Sequence, residues 1–495
     1  MSTTRPAPRL FSVTQRVVIL CALNAAPQLF AQQAIKSEPA NSKLNPDEAI
    51  VLSAFTVGSS EDKGYRATST LAGSRLKTSL KDLAGGIQVV TEQFLKDTGS
   101  TDSTRLLVYT TNTEVAGNDG NFSGNNGATF DDAVRRNESP TVRLRGLASA
   151  DLTRGFFLSD IDFEGYNTDR ITVSRGPNGM LFGLGSPGGI IDNALKPAKF
   201  ADANSVEVSA GSFGSHREVL DVNRVLVPNK IAFRIIGLKK EDEFMQEEPF
   251  KKEQRIYGNL VMNPFAGTVF RANAEAGSRW QSNPSQFAPL SNVPGWIKAG
   301  KPIQVPGLDP SIRFGLRAAN RAPVFVLNGP NDATPVLGYS LDVRSPQSTT
   351  LVYQSTWITR DNEPDSSAFK RGAVMSESDR YIFDYRNHAL TGSLNRQFKN
   401  FDALNLALEQ SLFDKRAGLE FAYDRQHDKS GSTEQAQYNL QVDTSGFLPY
   451  TVFNRATQVN DAVPNPNAGR VFLNYRSGLS ETVTYRSSWR LSARQ

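Results

Sequence analysis

The chain is poor in the residues that most often carry chemistry. It has one cysteine, Cys21, and three histidines, His216, His388 and His427, which lie far apart. Cys21 sits in an apolar N-terminal stretch. If that stretch is removed, the mature chain has no thiol, no disulfide and no cysteine-based metal site. Histidine-rich metal ligation and Cys/His catalysis are poorly supported, and no catalytic residue, metal or cofactor is expected. Excess charge is also scarce: the formal charge is +5 over 495 residues, with no Lys/Arg-rich run. That excludes the clustered basic footprint of a nucleic-acid binder. No stretch beyond the N-terminus approaches the roughly 18 uninterrupted apolar residues of a transmembrane helix. If the chain enters a membrane, it does so as a β-barrel.

What is present begins with an export signal. Arg5, Arg9 and Arg16 precede the apolar core Val17 to Ala26 (VVILCALNAA), which is too short to span a bilayer. Cleavage is expected after Ala31. A lipoprotein site at Cys21 is disfavoured because Leu20 stands where a small residue is needed. A polar linker with Pro39 and Pro46 follows, and then the β-prone apolar run Glu48 to Val57 (EAIVLSAFTV). Residues 64–200 read as a mixed α+β domain. Ile87 to Val90 is a strand candidate, Thr91 a cap for the helical EQFLKDTGS, Asp102 to Tyr109 a second helix, and Val142 to Leu144 and Ile171 to Val173 short strands. Gly176 to Gly189 holds six glycines and two prolines, which rules out regular structure across it.

After Lys196 the period changes to two. Val206, Val208 and Ala210 alternate with Glu207 and Ser209, and Ile231, Phe233 and Ile235 with Ala232, Arg234 and Ile236. The same pattern recurs at 270–276, 404–409, 419–424 and 483–491. Each segment offers one apolar and one polar face. A soluble antiparallel sheet buries the apolar face; a membrane barrel turns it to lipid. Short turns at 227–230 (VPNK) and 263–267 (NPFAG) against longer connections favour the barrel. Roughly 281–347, rich in Pro, Gly and Asn, reads as a long external loop, with Trp280, Phe287 and Trp296 as ligand-contact candidates.

A longer motif is more specific. TVRLRG at Thr141 to Gly146, FFLSDIDFEGY at Phe156 to Tyr166 and DRITVSRGPNGMLFGLGSPGGIIDNALKPA at Asp169 to Ala198 occur in this order, after LAGGIQVVTEQFL from Leu83. This series resembles the plug of TonB-dependent outer-membrane receptors. Arg143, Arg145, Gly146, Arg170, Arg175, Gly176, Pro177, Gly183, Gly185, Gly188 and Gly189 fall at the motif positions. Ser159-Asp160 and Ile191-Asp192-Asn193 depart from the pattern. A phosphate-binding loop is the rival reading of the glycines, but GLGSPGG is not followed by Lys and Ser/Thr, and Ile190 leads into a strand.

The resemblance implies an α+β plug followed by an antiparallel transmembrane β-barrel, 22-stranded in the family. The implied layout is a signal peptide (1–31), a linker (32–63), the plug (64–200) and a partial barrel (201–495). With about 300 residues after position 200 against the roughly 450 that 22 strands need, the barrel is expected to be incomplete. Glu48, Ala49, Ile50, Val51, Leu52, Ser53 and Ala54 fall where the family keeps its TonB box, an extended peptide that adds a strand to a partner's sheet. The resemblance further implies that Arg145 and Arg175 pair with barrel glutamates, for which Glu275, Glu409 and Glu420 are the lumen-facing candidates. The expected partners are TonB with its inner-membrane energising complex, the lipid bilayer, and a small ligand such as a metal chelate or oligosaccharide. The expected location is the bacterial outer membrane and the expected function is energised uptake, with a ferric siderophore as default ligand. The rivals are a truncated, non-transporting fragment, a passive porin-like barrel, and a secreted hydrolase using Asp160, Asp162 and Glu164. Carboxylates two apart in a turn are a poor acid/base pair.

Overall fold

A computed structural model describes residues 62–72, 76–83, 85–115, 142–146, 148–176, 186–282, 377–413, 416–436 and 471–494, with shorter pieces between 290 and 374 and between 439 and 469. The expected signal, the 48–54 segment, Pro177, Gly183, Gly185 and Phe287 lie outside the described residues.

The plug is built on short elements. Strands β1 (Ser69–Thr70) and β2 (Thr78–Ser79) form a small antiparallel pair. β3 (Gly86–Thr91) leads into helix α1 (Glu92–Asp97), and the Thr91 hydroxyl caps that helix by accepting the Phe94 N–H at 3.3 Å. Helix α2 (Ser103–Leu107) and strands β4 (Thr113–Val115), β5 (Val142–Leu144) and β6 (Ala148–Ser149) follow. Then come β7 (Asp151–Arg154), β8 (Phe157–Leu158), β9 (Thr168–Arg175) and β10 (Gly189–Leu195). The main sheet has the order β3-β9-β10-β7-β8. Val90, Leu95, Leu106, Leu107, Leu144 and Val173 belong to the apolar core that joins this sheet to both helices and to β5.

Gly189 shows why a glycine is needed where β10 begins. Its φ is +123°, and a Cβ there would lie 2.1 Å from the Ser174 carbonyl oxygen of β9. Any side chain would force the β9–β10 pair apart.

The rest of the described chain is dominated by eight long strands: β11 (Ala203–Ala210), β12 (His216–Val227), β13 (Ile231–Glu243), β14 (Phe250–Met262), β15 (Thr268–Ser282), β16 (Arg396–Leu412), β17 (Ala417–Ala436) and β18 (Val471–Arg494). They pair antiparallel in that order. Their two faces settle which way the alternation points. Val206, Leu226, Phe421, Trp489 and Leu491 are exposed, while Arg217, Glu275, Lys399, Glu420 and Asp428 on the opposite face are buried. A soluble sheet buries the reverse set, so this is the inverted pattern of a barrel wall, apolar outward and polar inward.

The register turns this into a band. Ile231, Met262, Phe270, Leu408, Phe421 and Leu491 are consecutive cross-strand partners on one outward row. Three outward rows further from the short turns, at the level of Ala276, the row reaches Asp402 and His427 on β16 and β17. The apolar band therefore drifts along the strands from β11 to β17, as it must when strands are tilted relative to the membrane.

One expectation needs correction. Trp280 is not in a loop: it lies on β15, on the outward side, stacked on Phe398 with ring centroids 6.2 Å apart. The region expected to be one long loop also contains the helix α3 (Val293–Lys298), which includes Trp296, and strands at Ile312–Leu316, Val324–Val326 and Val336–Gly338.

Candidate functional site

The site is the contact between the plug and the inward face of the sheet. It is built largely from buried charge. Segment 159–164 of the plug, SDIDFE, crosses the wall with acidic side chains two residues apart. Asp160 pairs with Arg486 of β18 at 2.7 Å. Asp162 pairs with Arg279 of β15 at 2.6 Å and lies 3.7 Å from Lys399 of β16. Glu164 pairs with Arg217 of β12 at 3.0 Å. Backbone carbonyls join in: Arg255 of β14 donates to the Asp162 carbonyl at 2.9 Å, and Lys399 donates to that of Asp160. The three acids weighed as a hydrolase cluster are thus spent on cations from several strands.

Glu275 of β15 is the centre of a second network. It accepts from Arg154, from the Tyr166 hydroxyl at 2.8 Å and from the Asn167 amide at 2.8 Å, and Arg255 lies 3.5 Å away. Burial pushes the Tyr166 hydroxyl above its ordinary range, and the Glu275 charge adds to the shift. Beside it, Tyr166 packs with Val219, Ile236, Leu238 and Tyr257 of the wall and with Leu195 of β10. The plug's exit is fastened too. The Tyr257 hydroxyl donates to the Lys196 carbonyl at 2.9 Å, and Asn259 accepts the Ala198 N–H at 2.7 Å.

The motif residues mostly work inside the plug. Arg143 pairs with Glu114 across β4 and β5 at 2.6 Å. Arg170 pairs with Asp62 at 2.9 Å and donates to the Ser69 carbonyl, tying the start of the described plug to β9. Arg145 and Gly146 form a turn with φ of 57° and 67°. Gly176 has φ of 102°, and the Gly188 N–H donates to the Ser186 hydroxyl at 3.2 Å.

The expected pairing of Arg145 and Arg175 with Glu275, Glu409 or Glu420 is not what the structure shows. Arg175 donates to the Gln88 side chain at 2.7 Å and to the Thr111 carbonyl at 2.6 Å. Burial, and then the neighbouring charge of Arg145, hold its guanidinium below the usual range. Glu275 is taken by Arg154, Glu409 by Arg271 and Glu420 by Arg490. β9 and β10 direct Arg175 at the end of the plug sheet beside Gly86 and Gly189, away from this wall. Among the described residues, the plug arginine that pairs with a glutamate of the sheet is Arg154, at the end of β7. The spacing of Asp160, Asp162 and Glu164 opposite basic positions of the alternating strands was the available clue; nothing local marked Arg154.

The described residues thus place a plug, held by buried ion pairs, against an inside-out antiparallel sheet. A family model for the TonB-dependent receptor plug domain matches residues 79–190. The chain is 26% identical over 225 residues to the ferrioxamine receptor of Yersinia enterocolitica, covering 43% of this chain and 29% of that protein. It is 26% identical over 208 residues to the catecholate siderophore receptor Fiu of Escherichia coli (strain K12), covering 41% of this chain and 25% of that protein. Among solved structures it is similar to the ferripyoverdine receptor of the outer membrane of Pseudomonas aeruginosa bound to ferripyoverdine. There the TM-score is 0.44 and the identity 14%, over 88% of this chain and 56% of that one. The matches span less than a third of the curated relatives' length. Over its plug domain the chain is similar to the TonB-dependent receptors.

Proposed function

We propose that the protein works as an outer-membrane receptor for energised uptake of a large, scarce ligand, with a ferric siderophore as the first class to test. The observation that carries this reading is the plug itself, seated by buried ion pairs against a wall whose other face is apolar. A plug closes a passive channel, so transport through this sheet needs work done on the plug. The relatives named as ferrioxamine and catecholate siderophore receptors support the ligand class. They are receptors, and no catalytic step is proposed.

In this reading residues 1–31 direct export to the outer membrane, and Glu48 to Ala54 form the TonB box. There TonB, driven by the inner-membrane proton gradient, adds a strand and pulls on the plug. Main-chain hydrogen bonds would supply the affinity of that contact. Val51→Pro removes a backbone donor from it. The expected outcome is loss of gradient-dependent uptake of a labelled ferric siderophore, with surface expression unchanged. Uptake that survives either this substitution or collapse of the gradient would mean a passive pore.

A further inference from the structure

Residues 62–72 open the described plug, and they are pinned at one end and packed at the other. Asp62 pairs with Arg170 at 2.9 Å, with the two side chains 4% and 3% exposed. Arg170 also donates to the Ser69 carbonyl at 3.1 Å, and the Thr91 hydroxyl donates to the Gly64 carbonyl at 2.8 Å. Both anchors belong to the main sheet: Thr91 ends β3, and Arg170 lies on β9, which has β3 and β10 on its two sides. At the other end Ala72, 1% exposed, packs with Phe156 and Ile190, and Leu71 borders the same cluster. Phe156 is in the turn of the β7–β8 hairpin with φ of 62°. For phenylalanine this is an uncommon backbone that surrounding contacts must hold in place. Asp192 accepts its N–H at 2.6 Å, and the 62–72 segment covers its ring. That hairpin in turn grips the wall. Arg154 reaches Glu275 of β15, the Gly155 carbonyl accepts from Arg490 of β18 at 3.2 Å, and the Arg490 guanidinium lies 4.5 Å above the Phe157 ring.

We propose that residues 62–72 are a removable wedge that keeps the β7–β8 hairpin on the wall, so that drawing the segment off at Asp62 loosens the plug's hold at Arg154, Gly155 and Phe157. The order of events follows from connectivity. Asp62 stands eight positions after Ala54, so a pull on 48–54 meets the Asp62–Arg170 pair first among the described residues. β9 is fixed by strands on both sides and stays. The segment is the part that yields, because its strand pairing to the rest of the described plug is the two-residue β1–β2 pair. Once Leu71 and Ala72 leave, the Phe156 ring loses the packing on that side and the strained turn can relax. The link is thus a continuous run of packed and bonded groups from Asp62 to Glu275 and Arg490.

That traction supplies the pull rests on the transport reading; the coupling of segment to hairpin does not, and it is measured without TonB. Hydrogen exchange is followed in the full chain in detergent micelles, on peptides spanning 62–72, 86–97 and 151–158. Ala72→Glu puts a charge into the apolar contact and leaves Asp62 and Arg170 in place. It should raise the opening constants of 62–72 and 151–158 together, by about tenfold, and leave 86–97 as in the wild type. Asp62→Asn removes the charge at the pinned end, keeps the side chain's shape, and should give the same pattern. A variant that also opens 86–97 has lost the plug core, and the other then decides. Core loss in both would overturn the proposal, since the segment would be part of the core and not removable. So would 62–72 opening while 151–158 keeps its wild-type protection, or 62–72 unmoved by Ala72→Glu. Either of these last results beside intact gradient-driven uptake strikes the wedge and leaves the transport reading standing; coupling without uptake does the reverse.

Discussion

At the scale of single residues, a buried carboxylate persists only if donors surround it, and Glu275 has Arg154, Tyr166, Asn167 and Arg255 within reach. The two sides of its pair with Arg154 are unequal. Without Arg154, Glu275 keeps three donors. Without Glu275, Arg154 is left buried among groups already engaged. Removing one partner of a buried pair costs about 3–5 kcal/mol. Glu275→Ala should fall in that range and Arg154→Ala below it, read as urea stability of the plug in the intact chain. Equal losses from the two variants would mean the network is not organised around Glu275. Arg154 carries no mark in the sequence, because a lone arginine before a Gly-Phe turn is common and its partner is 121 residues away.

At the scale of elements, β13 places a charge and an apolar side chain at adjacent positions on opposite faces. Arg234 faces inward and is held by Asp221 of β12, with contacts of 2.8 and 2.6 Å. Ile235 faces outward and is 44% exposed. A charge is tolerated at 234 because a carboxylate and the Pro197 carbonyl meet it. At 235 lipid would meet it, so Ile235→Arg should cost about 2–4 kcal/mol if the residue lies near the bilayer midplane. Folding into vesicles with and without the substitution measures this, and insertion as stable as wild type would remove Ile235 from the lipid face. β12 and β14 were not read from the sequence, although they are as long as their neighbours. Their alternation is blurred because Val219, Tyr257 and Val261 face inward. Val219 and Tyr257 meet the plug's apolar patch at Tyr166 and Leu195, and Val261 packs near Ala198 and Phe200. Where the plug is apolar, the wall is apolar on both faces and the period disappears.

At the scale of the whole molecule, the plug has two kinds of stability. The core around Leu95, Leu107, Leu144 and Val173 is closed within the plug itself. Residues 154–167 instead place their charges against the wall. If residues 64–200 are produced without the sheet, exchange protection should survive in β3, β9 and α1 and vanish across 154–167. Protection retained across 154–167 would show that this segment is ordered by the plug alone and that the ion pairs only follow its shape.

Strand alternation, the Thr91 cap and the glycine-rich motif were open to reading because each depends on residues a few positions apart. Cβ direction repeats every two residues in a strand, a cap needs its donor three residues on, and a turn demands glycine at its own position. Those local rules led from the chain to a plug, a barrel wall and a family. They carried no information about which acid meets which base. Asp160 and Arg486 are 326 residues apart and meet only through the stagger of eight strands and the seat of the plug against them. The same geometry turned Arg175 inward, gave Glu275 to Arg154 and enclosed Asp192 behind the hairpin. Pairing at that range depends on where folded surfaces come to rest, and no spacing along the chain encodes it.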